Sequence, residues 1–167
     1  MNLIALELEE LRKLYRGMEL LVLILMIVAL PLFGGVYLYY NSGNLNWDLP
    51  ALPEMFNGLL AGASMGLLIA QYLGFHRDLK KTFQEEELSR KFRIYVKATK
   101  SRFWMLFGSS IITTLGLLFF QNPVHVVLFA VTLVFFSLGK PTPDRMKRLM
   151  KLSKEQGDLV RAASRPE

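Results

Sequence analysis

Apolar and charged positions are segregated along this chain rather than interleaved. Three intervals, 20–47, 55–76 and 103–139, contain no Asp, Glu, Lys or Arg. The first two suit one bilayer crossing each, which takes roughly 20 apolar residues. The third is nearly twice as long and carries Gln121-Asn122-Pro123 at its middle. It reads as a helical hairpin whose second arm is short, with Lys140 snorkelling at its end. A re-entrant hairpin is the alternative. The pattern predicts an all-α polytopic membrane protein: four transmembrane helices at 18–40, 55–75, 103–120 and 124–139, with cytoplasmic helical extensions. The whole of 1–167 is read as one membrane domain.

The segments between the apolar runs are amphipathic. In 2–17, Ile4, Leu8, Leu11 and Tyr15 share one helical face, and Glu9 and Lys13 lie on another. This helix is expected to lie on the membrane surface, with docking to a partner as the sharper reading. In 76–102, Leu79, Phe83, Leu88, Phe92 and Val96 recur at steps of four and five, which predicts a helical hairpin or bent helix with a buried face. Glu85-Glu86-Glu87 beside Arg90, Lys91 and Arg93 reads as a solvated face of weak ion pairs. The tail segment 142–156 reads as one helix, with Thr142 as cap and Pro143 at its first position. Arg145, Lys147, Arg148, Lys151 and Lys154 give it a basic surface suited to anionic lipid headgroups. Gly157 is expected to end or weaken it, and 162–167 to fray.

Charge fixes the expected orientation. Three Lys and Arg precede the first run, nine lie in 77–102 and eight in 140–165, which accounts for all 20. The two remaining connections have none. With four spans, every basic segment falls on one side, and the positive-inside rule makes that side cytoplasmic. Both termini are then cytoplasmic, and the membrane is expected to be the plasma (inner) membrane. The net charge of +6 follows from this topology. Nucleic-acid binding is not expected, since no aromatic platform accompanies the charge. Glu7, Glu9 and Glu10 argue against a cleaved signal peptide.

Within the runs, two patterns stand out. Gly58, Gly62, Gly66, Ala70 and Gly74 recur every four residues, a stripe without bulk that lets another helix approach closely. Span three, with its own small residues, is the expected mate, so packing within the chain is placed ahead of dimerisation. Span three also carries Ser109, Ser110, Thr113 and Thr114, which can bond back to carbonyls one turn earlier, bond across a helix interface, or line a pore. Pro31 and Gly34-Gly35 predict a bend or local unwinding in span one.

Reaction chemistry is absent from the pattern. There is no cysteine and no HExxH, Walker A or GxSxG motif. In the predicted topology His76 and His125 stand at opposite ends of their spans, so they cannot both ligate one haem. No ionisable residue stands at mid-depth, where a coupled transporter needs one. No cofactor, metal or enzymatic activity is expected. The sequence favours a non-enzymatic membrane subunit or assembly protein, meeting the bilayer and another membrane protein or itself. The alternative is a small homo-oligomeric channel lined by span three, and a substrate-binding facilitator is the weakest reading.

Overall fold

The computed structural model describes residues 3–45 and 47–165, with side chains from residue 6 onward. Asn2 and the side chain of Ile4, placed on the first amphipathic face above, lie outside the described residues, as do residues 166 and 167. Six α-helices follow in order: α1 (Leu3–Asn41), α2 (Met55–Lys81), α3 (Leu88–Phe120), α4 (Pro123–Gly139), α5 (Pro143–Leu149) and α6 (Lys154–Ser164). A 3-10 turn, Thr82–Gln84, ends α2. No strand occurs among the described residues.

Three helical stretches, Leu6–Asn41, Met55–Gln84 and Leu88–Phe120, are long and apolar enough to cross a membrane. The count rises to four if the broken pair α4 and α5 is taken as one span. By itself α4 has 17 residues, just short of a typical crossing. The chain is therefore a helical membrane protein by length and composition.

Local chemistry explains the breaks. The 76–102 segment is a helical hairpin that turns at 85–87; Leu79, Leu88, Phe92 and Val96 are buried as expected, but Phe83, in the 3-10 turn, is exposed. Thr82 Oγ1 donates to the Leu79 carbonyl at 2.7 Å as α2 closes. At the end of α3, Gln121 takes the left-handed conformation (φ 51°). Its N–H reaches the Leu117 carbonyl at 2.9 Å and its side chain donates to the Leu45 carbonyl at 2.9 Å. The left-handed cap costs roughly 1–2 kcal/mol for a residue with a Cβ, and these bonds offset it. α1, in contrast, runs unbroken through Pro31 and Gly34-Gly35, so the expected unwinding does not occur. Proline removes one donor only, and in an apolar setting the rest of the ladder has no water to bond instead.

The chain divides into two compact units. One comprises residues 24–72 and 103–139, and Asp48 and Glu54 are its only charged residues. The other comprises 1–23, 73–102 and 140–167, and contains every one of the 20 Lys and Arg. The charge segregation of the sequence is thus also a division of the fold.

In the charged unit, the charged ends of α1, α2 and α3 close with α5 and α6 on one core. Leu11, Tyr15, Met18, Phe92, Tyr95, Met146 and Val160 are buried in it. This corrects two expectations. The 2–17 face is covered by protein rather than laid on a membrane, because its Leu11 and Tyr15 are buried in this core. The tail is two helices rather than one over 142–156. Lys151 turns the chain in the left-handed conformation (φ 51°), and Ser153 starts α6 with a full capping box to Gln156. Gly157 lies inside α6, and Ala163 is buried rather than frayed. Arg93 Nε donates to Glu10 Oε1 at 2.8 Å, and Arg161 Nη2 to Asp144 Oδ1 at 2.8 Å. In the Glu85 to Glu87 run, exposed Arg90 pairs with Glu87 at 3.0 Å, and Ser89 Oγ donates to Glu87 Oε1 at 2.7 Å.

In the apolar unit, Phe33 of α1 stacks on Phe129 of α4 with centroids 3.6 Å apart. Leu117 of α3 completes that cluster.

Candidate functional site

The glycine stripe of α2 points away from the rest of the chain. Gly58, Gly62, Gly66 and Ala70 are exposed, and Gly74 is half-buried. A Cβ built on Gly58, Gly62, Gly66 or Gly74 would meet no atom within 4 Å. The stripe therefore does not seat span three, contrary to the packing expected within the chain. The reason lies on the opposite face. Ser64 is two residues from both Gly62 and Gly66, about 200° around the helix. It is fully buried, and Leu68 and Gln71 on the same side are buried too. The residue on α3 that approaches α2 closely is Gly108, where a Cβ would stand 3.4 Å from Leu67. Bulky Leu59, Met65 and Ile69 flank the open stripe and are exposed too.

What holds α2 in this rotation is a chain of hydroxyls. Ser64 Oγ lies 2.7 Å from Ser109 Oγ of α3, and Ser109 Oγ lies 3.1 Å from Thr132 Oγ1 of α4. Thr132 donates its proton to the Leu128 carbonyl at 2.8 Å. Each hydroxyl has one proton, so the direction is determined. Ser109 donates to Thr132, and Ser64 donates to Ser109. Three helices are tied by one ordered run. Three further hydroxyls of α3 bond to carbonyls of their own helix. Ser110 donates to the Phe107 carbonyl at 2.7 Å, Thr113 to Ser109 at 3.0 Å and Thr114 to Ser110 at 2.7 Å. All four side chains offered for a pore wall are buried.

A second polar contact joins α2 and α4. Asn57 Nδ2 donates to Glu54 Oε1 at 2.8 Å, which turns its Oδ1 toward His125 Nε2, 2.9 Å away. Nε2 therefore carries the proton. The imidazole is fully buried and lies flat on the backbone of Gly116, where a Cβ would fall 2.2 Å from Cε1. Among the described residues its Nδ1 has no hydrogen-bond partner, and no three His, Asp or Glu converge as metal ligands.

The five basic tail residues are divided. Lys147 lies along Gly157, with a Cβ there 2.7 Å from its Cδ. Lys151 Nζ sits 4.8 Å from the Phe83 ring centroid. Arg148 and Lys154 are exposed, and Arg145 is half-buried. With Met146 and Met150 buried in protein, α5 has no apolar face left to insert into a bilayer.

Sequence reasoning passed over Arg102, which precedes the apolar run of α3 and is only 6% exposed. Its guanidinium lies over Phe75, 5.0 Å from the centroid. Burial, and then the charge of Arg145, bring its pKa down to about 10. Burial likewise pushes the Tyr95 phenol up. The cue in the sequence is an arginine abutting a long apolar run. The Asn57–His125 link had none, since 68 residues separate them.

Comparison with protein-family models, with curated proteins and with solved structures finds no match to this chain.

Proposed function

We propose that this chain is a non-enzymatic integral membrane subunit that associates through the outward glycine stripe of α2. In this reading it has four spans, with both termini and all the basic segments on the cytoplasmic side of the plasma membrane. The observation that carries the reading is the open stripe itself. Each interior Gly costs about 1 kcal/mol relative to Ala in a helix. Gly58, Gly62 and Gly66 support no contact in this chain that would explain their small size. Close approach of a helix from another chain explains it, because backbone-to-backbone packing is what small residues provide in lipid. The grouping of every Lys and Arg in one compact unit supports the one-sided topology by the positive-inside rule. Buried hydroxyls bonded within the bundle give no support to a pore through α3. The test is association of the full chain in mild detergent and in liposomes, by cross-linking through single cysteines placed at 59 and 65. Cross-links along the stripe are expected, and a monomer free of any cross-linked species would overturn the proposal.

A further inference from the structure

A cavity of about 180 Å³ opens between the charged end of α2 and the start of α3. Asp78 and Lys81 line it from α2, and Ile94, Lys97 and Ala98 line it from α3. Within each helix these residues are three or four apart, so each set shares one face. Asp78 is already engaged: Lys81 Nζ lies 2.6 Å from its Oδ1, and Arg77 Nε lies 3.8 Å from the same oxygen. Lys97 is exposed and forms no ion pair among the described residues. The cavity therefore carries an excess of positive charge beside the apolar wall of Ile94 and Ala98.

Size and depth narrow the ligand. Drug-sized molecules take roughly 300–1,000 Å³, so this cavity holds a fragment of headgroup size. Asp78 and Lys81 follow the charge-free interval 55–76 by two and five residues, roughly 3 and 8 Å along α2. Lys97 and Ala98 precede the interval 103–139 by six and five residues, roughly 9 and 8 Å along α3. The headgroup layer of a bilayer is about 5–7 Å thick on each side of the hydrocarbon. Both helices thus bring the cavity to headgroup depth when they cross a membrane. A lysine ammonium supplies three donors and a point charge to a phosphate oxygen, while its stem lies along an apolar wall. We propose that Lys81 and Lys97 bind the phosphate group of an anionic lipid in this cavity, with the glycerol end of the lipid against Ile94 and Ala98. The proposal rests on α2 and α3 crossing a membrane. It shares no residue with the glycine stripe, so it stands or falls separately from the proposed association.

The test uses the purified full-length protein in dodecyl maltoside. It is titrated with dioctanoyl phosphatidic acid and, separately, with inorganic phosphate, at constant ionic strength with chloride as the reference salt. Binding is read by calorimetry and by the rise in melting temperature. Saturable binding of phosphatidic acid is expected, with inorganic phosphate weaker because it leaves the apolar wall uncovered. Lys97→Gln should weaken the lipid roughly fivefold, the factor one lysine contributes at an anionic surface. Without lipid this variant should melt as the wild type does, since Lys97 is exposed and unpaired. Asp78→Asn removes the competing carboxylate and should bind more tightly. Lys154→Gln makes the same charge change outside the cavity and should bind as the wild type does. Phosphatidic acid that does not saturate, or that binds Lys97→Gln as well as it binds the wild type, overturns the site, and so does weaker binding by Asp78→Asn. Saturable binding of inorganic phosphate alone overturns the lipid as its source.

Discussion

Ser64 and Ser109, 2.7 Å apart in the interior of the apolar unit, decide which way α2 faces. Their bond turns the serine side of α2 toward α3 and leaves the glycine side outward. Replacing Ser64, Ser109 or both with Ala should therefore give a non-additive cycle in detergent unfolding. A coupling of about 0.6 kcal/mol is expected, the usual scale for interhelical bonds in membranes. Ser109→Ala should cost more than Ser64→Ala, since it also leaves Thr132 without its donor. Strict additivity would show that the two hydroxyls do not interact.

Gly116→Ala is expected to be among the most damaging single-methyl changes in the chain. The new Cβ would fall 2.2 Å from the His125 ring, and the bond to Asn57 holds that ring in place. Overpacking of this kind costs roughly 1–3 kcal/mol. The loss should shrink in a His125→Ala background, where the methyl has room. Equal losses in both backgrounds would show that the ring is not the obstacle.

Gly157→Ala meets a neighbour almost as close, Lys147 Cδ at 2.7 Å, yet the opposite result is expected. Lys147 is a flexible, half-buried side chain that can swing aside. Ala gains up to about 1 kcal/mol of helix propensity inside α6. The melting temperature should hold or rise, and a marked fall would mean that Lys147 is fixed by something its exposure does not show.

Ser153→Ala removes the cap of α6, whose Oγ accepts from Gln156 N at 3.2 Å. A loss of about 1 kcal/mol is expected. Thermal unfolding should show it, and hydrogen exchange should speed up first in α6. Unchanged exchange there would mean that the Val160 and Ala163 contacts alone hold the helix.

The helices and the division of charge were legible in the sequence because they follow from local rules: apolar length, helical period and the placing of Lys and Arg. The orientation of the stripe was not. Period identifies Gly58, Gly62 and Gly66 as one face, but which way that face points depends on Ser64 finding Ser109 45 residues away. The cover over the 2–17 face was hidden for a similar reason: an apolar face suits lipid or protein equally well, and residues that join Leu11 and Tyr15 in one core, such as Phe92 and Met146, lie far along the chain. Asn122-Pro123 marked the turn at Gln121, whereas left-handed Lys151 carried no glycine signal, so the turn it makes was invisible.

The most direct test of the proposed association is Gly62→Leu, measured for self-association or partner binding and for melting temperature in the same preparation. Nothing in the chain stands within 4 Å of a Cβ at Gly62. The variant should therefore fold and melt as the wild type does while losing its cross-linked or co-purifying species. Association unchanged by the leucine would contradict the account, and so would a protein that no longer folds.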